Sequence, residues 1–126
     1  MVSNKYSIDV EVESTYLPDQ SLPNHDQYVF AYTVTIRNRG SEGAKLLSRH
    51  WIISDANGLE QEVRGDGVVG EQPHLSPGES YQYTSGTPLA TPMGSMRGSY
   101  QMVADDGTEF DATISPFALF GPATLH

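Results

Sequence analysis

The chain contains no cysteine. Disulfides, thiolate metal sites and a cysteine nucleophile are therefore excluded together, which fits a reducing compartment. No apolar run approaches the roughly 18 residues of a membrane span. The opening "MVSNKYSIDV" lacks the apolar stretch of a secretory signal, so a cytoplasmic protein is expected. Bases are scarce as well: 7 against 16 acids, for a net charge of −9. A chain so charged repels nucleic acid and anionic membrane surfaces, and neither is expected as a partner. Sustained helical periodicity is missing too.

What is present is a chain of 126 residues, a length that fits one domain over residues 1–126 with an ordered core over about 5–120. Its apolar residues come in short alternating runs separated by Gly, Pro, Asp and Asn. In "SIDVEVESTYL", Ile8, Val10 and Val12 alternate with acids. In "YVFAYTVTIRN", Tyr28, Phe30, Tyr32, Val34 and Ile36 share one face, and Thr33, Thr35 and Arg37 the other. "AKLLSRHWIIS" and "LEQEVR" read as the next strands, joined by the turn "DANG". "ESYQYTS" is a further strand, and "SYQMVADDGTEFDATI" a hairpin with Asp106-Gly107 at its tip. The segment "GTPLATPMGSMRG" reads as an irregular connection or a broken edge strand. Seven to eight strands with regular turn signals predict an all-β, immunoglobulin-like or fibronectin type III-like sandwich. In "LSPGESY", Leu75, Pro77, Gly78 and Tyr81 resemble an E–F crossover: a buried leucine, a Pro-Gly turn, and a tyrosine whose hydroxyl returns to upstream backbone.

Gly65, Gly67 and Gly70 have the spacing G-x-G-x-x-G. A dinucleotide site needs a helix opening directly behind the glycines and an acidic residue about 20 positions on. Here Pro73, Pro77 and Gly78 follow, which no helix accommodates, and the later stretch is "PLATPM". The Rossmann reading fails. Two readings remain. The glycines serve backbone conformation and a close chain crossing, or the loop offers successive N–H groups to a small anion such as pyrophosphate or a nucleotide, with Arg64 at its edge. Asp66 works against the second.

Five of the seven bases, Arg37, Arg39, Lys45, Arg49 and Arg64, fall between positions 37 and 64. They form either a solvated strand surface or a local positive patch. In "SRHW", Arg49 and Trp51 share one face, Ser48 and His50 the other. Either a satisfied histidine or an arginine stacked on Trp51 explains the cluster, or Arg49 joins Arg64 in an anion- or partner-binding surface. His25, His50, His74 and His126 make no local chelate, and Asp105, Asp106 and Glu109 fit a hairpin turn better than a calcium loop. No metal site, cofactor or catalytic residue is assigned, although a metal site assembled from distant strands stays open, and direct divalent-metal binding by this acid-rich chain is a third reading after a partner-binding module and a small-anion site. No G-x-S-x-G elbow occurs. A non-enzymatic module is expected, with a protein partner or a second copy adding at a sheet edge near residues 86–98.

The segments "FAYTVTIRN", "LLSRHWIISDANG", "GDGVVGEQPHLSPGESYQYTSG" and "TPMGSMRGSYQM", with Phe117-x-Leu119, resemble the ApaG family over about residues 5–120. Members tend to end Ile-Pro-x-Phe-x-Leu, whereas here the proline, Pro116, stands one place later. The resemblance implies a fibronectin type III-like sandwich and a bacterial cytoplasmic protein linked to cobalt tolerance and magnesium efflux. It also implies a gene that often neighbours one for a diadenosine tetraphosphate hydrolase, and related interaction modules in eukaryotic F-box proteins. It supplies no catalytic residue.

Overall fold

Alternation of apolar and polar side chains runs through a computed structural model that describes residues 5–122. The leader reading of residues 1–4 and the terminal His126 lie outside the described residues. The strands are β1 (Ile8–Tyr16), β2 (Tyr28–Asn38), β3 (Ala44–Asp55), β4 (Glu60–Asp66), β5 (His74–Leu75), β6 (Ser80–Leu89), β7 (Met93–Ala104) and β8 (Glu109–Phe120). Two single-turn 3-10 helices, Pro18–Gln20 and Pro23–His25, shape the β1–β2 loop. Each opens on a proline, whose fixed φ suits a first helical position.

The strands form a three-stranded sheet, β1-β2-β6, and a five-stranded sheet, β4-β3-β7-β8, with β5 pairing β3. All pairings are antiparallel. The expected all-β sandwich is the fold. Facing side chains of β2, β3, β7 and β8 make the core: Phe30, Val34, Ile36, Leu46, Tyr100, Met102, Ile114 and Leu119 are buried. Burial of such side chains supplies about 1.5–3 kcal/mol each.

The segment 86–98, read as an irregular connection or a broken edge strand, is the end of edge strand β6, a bend over 90–92 and the start of β7. Residues 86–89 complete β6, and 93–98 begin β7. The segment's prolines suggested a break. Pro88 is tolerated because β6 is an edge strand, where a missing N–H breaks no ladder. Pro116 lies in a bulge: Met96 pairs with Phe117 and Gly98 with Ile114, so Ser115 and Pro116 together oppose Arg97.

The two flanks of the sandwich differ. On one, β1 packs against β8, and the Ser14 hydroxyl donates to the Ala118 carbonyl at 2.9 Å. On the other, β4 and β6 flank an open cleft.

Candidate functional site

The site grows from a bulge in β3. Register with β7 shifts between Leu46 and Ser48, which leaves the Leu47 carbonyl outside the ladder. The glycine segment satisfies it. Gly67 N–H donates to Leu47 O at 2.8 Å, and Gln72 Nε2 donates at 2.9 Å. Between them Val68 and Glu71 exchange backbone bonds at 2.8 and 2.9 Å around a two-residue turn. Val69 (φ 43) and Gly70 (φ 83) both have positive φ, the signature of a tight hairpin turn. No helix follows. A Cβ on Gly67 (φ 62) would stand 2.3 Å from the Glu71 carbonyl oxygen, so glycine is required there on two counts.

Gly65 differs from both. It is not in the loop but within β4, opposite Arg49. A Cβ at Gly65 would lie 2.7–2.8 Å from the Cζ and both terminal nitrogens of Arg49. The guanidinium therefore lies flat over the glycine. Its Nη1 donates to the carbonyls of Asp66 (3.0 Å) and Gly67 (2.9 Å). Arg49 is not stacked on Trp51; it caps the glycine turn.

Arg49 and Arg64 leave opposite faces of the sheet but border one shallow recess. Arg49 shares the inner face with the buried Trp51. Arg64 pairs with His50 on the outer face, since successive side chains alternate. His50 is held there by Glu62, with Nε2 and Oε1 3.3 Å apart. The recess, of about 300 Å³, is lined by Arg49, Arg64, Gly65, Ser48, Gln101 and Asp66. The carboxylate of Asp66 opposes an anion at that place.

The inner face carries the more enclosed feature. A cleft of about 240 Å³ opens between Gln61 and Val63 of β4 and Ser85–Pro88 of β6. Tyr32, Trp51, Ile53 and Met96 line its apolar interior, and Arg49 lies at its wall. Trp51 is 2% exposed and meets Tyr32, Tyr100 and Phe117 edge to face, with centroids 5.4, 6.2 and 6.0 Å away. Its indole N–H has no hydrogen-bond partner among the described residues. Close by, the hydroxyls of Tyr83 and Tyr100 are bonded to each other between the sheets. Burial pushes both phenols well above their ordinary range. The sequence named Arg49 and Trp51 but not the cleft, because its second wall is contributed by residues of the other sheet.

The Leu75–Tyr81 motif sits one connection earlier than expected. With the seven long strands read as A, B, C, C′, E, F and G, it joins the larger sheet to strand E, not E to F. Any crossing between layers needs a buried anchor and a tight turn, hence the likeness. Leu75 is buried; Pro77 and Gly78 (φ 88) make the turn, with Glu79 N–H donating to Ser76 O at 2.9 Å. The Ser76 N–H donates to the Glu79 carboxylate at 2.7 Å and holds its pKa below the usual range. Tyr81 makes no corner: its hydroxyl has no hydrogen bond among the described residues, and its half-buried ring lies 6.3 Å from that of Tyr83. Asn38 does that work instead, and the sequence reading missed it. It is 1% exposed, and its Nδ2 donates to the carbonyls of Leu75 and Glu42, each at 2.9 Å. Its Oδ1 accepts from Gly40 N–H at 2.8 Å.

Among the described residues no group of three His, Cys, Asp or Glu side chains is placed to hold a metal ion. Among the described residues no helix is long and apolar enough to cross a membrane.

Comparison with known proteins identifies relatives. The family profile described as ApaG domain matches residues 18–104. Protein ApaG of Azotobacter vinelandii is 60% identical over 126 residues, covering 100% of both chains. Protein ApaG of Nitrosospira multiformis is 60% identical over 122 residues, covering 97% of this chain and 96% of that one. A crystal structure described as an ApaA protein from Bordetella pertussis superposes with a TM-score of 0.93 at 52% identity, covering 98% of this chain and 100% of that one.

Proposed function

The chain belongs to the ApaG family, and from that premise we propose that it is a non-enzymatic binding module whose protein partner adds an extended segment along the free edge of β6. The observation that carries this reading is the composition of that edge. Natural sheets blunt exposed edges with charge. β1 carries Asp9, Glu11 and Glu13; β4 carries Glu60, Glu62, Arg64 and Asp66; β8 carries Glu109 and Asp111. The 10 residues of β6, SYQYTSGTPL, carry no charged side chain, in a chain of net charge −9. Only Pro88 interrupts its unpaired backbone groups. Strand addition uses such an edge, with main-chain bonds giving affinity and flanking pockets giving specificity.

The cobalt and magnesium phenotype implied for the family is, on this reading, an effect of the partner and not of direct metal binding. The test is co-purification of the tagged protein from its own host beside a Gln82→Lys/Thr84→Lys variant, which charges the outer face of β6. A specific partner retained by the parent and lost by the variant, with thermal unfolding unchanged, is the expected result. Equal recovery by both, or recovery of nothing but a second copy of the chain, overturns the reading.

A further inference from the structure

The geometry points to the cleft between β4 and β6 as a carboxylate-binding pocket, with Arg49 as the group that takes the anion. This goes beyond strand addition at β6 and does not depend on it.

Three observations carry it. The first is charge. Arg49 is the only ionised residue in the cleft lining, and the lining contains neither Asp nor Glu, although acids outnumber bases 16 to 7 in the chain. Arg37, Arg39 and Arg97 have carboxylate partners. Among the described residues no carboxylate oxygen pairs with Arg49. A guanidinium without its anion beside apolar walls is a strong donor site for an anion, because the low local dielectric strengthens the bond it would form.

The second is preorganisation. Arg49 is seated on Gly65 and tied by Nη1 to two carbonyls of the glycine turn. Among the described residues its remaining N–H donors have no hydrogen-bond partner. Holding a long side chain in place beforehand removes rotamer entropy from the binding step.

The third is the character and size of the lining. Tyr32, Trp51, Val63 and Met96 supply apolar surface, the indole N–H of Trp51 is buried without a partner among the described residues, and the hydroxyl of the buried Thr87 donates to the Pro88 carbonyl at 3.3 Å. Sites for drug-sized ligands start near roughly 300 Å³, and this cleft holds about 240 Å³. A nucleotide is too large, and a single arginine is too little charge for a polyphosphate. An arginine fork matches a carboxylate in two parallel bonds. The ligand is therefore a carboxylate on a compact apolar body. It can come from a free small acid or from an acidic residue of a bound peptide.

The chain has one tryptophan, so its indole N–H gives a single, self-assigned NMR signal at the pocket. Phenylacetate and phenylacetamide are titrated to about 10 mM, the range of weak fragment binding. An N-acetylated, amidated Leu-Glu-Leu tripeptide and its Leu-Gln-Leu counterpart are titrated in parallel. The expected result is a saturable shift of the indole signal by the acids, at least about tenfold weaker for the matching amides. Arg49→Gln abolishes it, and Gly65→Ala, which displaces the guanidinium, weakens it. Arg64→Gln leaves it unchanged. A response to phenylacetate alone assigns a free acid as the source, and a response to the glutamyl peptide assigns a bound segment. The proposal is overturned if no acid moves the indole signal, or if acid and amide move it equally. The acid–amide comparison needs no substitution, so a variant that fails to fold leaves the test standing.

Discussion

Tyr83 of β6 and Tyr100 of β7 meet hydroxyl to hydroxyl between the two sheets. Desolvation raises the pKa of both above the ordinary value of about 10. The folded state therefore holds their protons more tightly than the unfolded state. Their contribution to stability is fully present below about pH 10 and is lost progressively as pH rises from there through the raised folded-state values. Of the seven tyrosines, these two should stay out of the tyrosinate ultraviolet band until the protein unfolds in alkali. Tyr100→Phe leaves the Tyr83 hydroxyl buried without a partner and should destabilise by about 1–3 kcal/mol in urea unfolding. The double Phe variant should recover part of that loss, because no orphan hydroxyl remains.

Asn38 binds the end of β2 to both the β2–β3 loop and the crossover into β6. Asn38→Leu should cost roughly 3 kcal/mol, since the carbonyls of Leu75 and Glu42 and the Gly40 N–H all lose their partner in a buried place. Asn38→Asp should also destabilise, because a carboxylate cannot donate to those two carbonyls. Urea unfolding with unchanged m-values is the measurement that checks both.

The glycine turn predicts an order of effects. Gly67→Ala meets both an unfavourable φ and a backbone oxygen at 2.3 Å, so it should be the most damaging. Gly70→Ala meets only the φ term, about 1–2 kcal/mol, because nothing lies within 4 Å of its Cβ. Val69 is a β-branched residue at φ 43 and 56% exposed. Val69→Asn should stabilise by about 1 kcal/mol, since asparagine accepts that conformation more readily. Thermal melts of the three variants give the ranking directly.

Much of the fold was legible because period-2 alternation needs no knowledge of neighbours. Phe30, Val34 and Ile36 declare the inner face of β2 by themselves. The dinucleotide reading could be dismissed for the same reason, as Pro73 and Pro77 forbid a helix locally. What stayed hidden depends on register between distant residues. Gly65 looked like a loop glycine because nothing in the sequence says that it opposes Arg49 across the β3–β4 ladder. That Arg49 and Arg64 leave opposite faces of the sheet and share only a recess was hidden too, because a one-residue offset in register decides which face each takes. Asn38 looked like the polar end of a strand until the crossover folded back over it. Pro88 suggested irregular chain because its edge position is a property of the sheet, not of the tripeptide around it.

The stitched flank at Ser14 and Ala118 gives the molecule a back and a front. A fluorophore, surface tether or fusion attached along β1 or β8 sits behind the sandwich and should leave recognition untouched. The same attachment on β4 or β6 stands in the doorway. Immobilising the protein by its rear is thus the orientation in which any binding measurement reports on its true mouth.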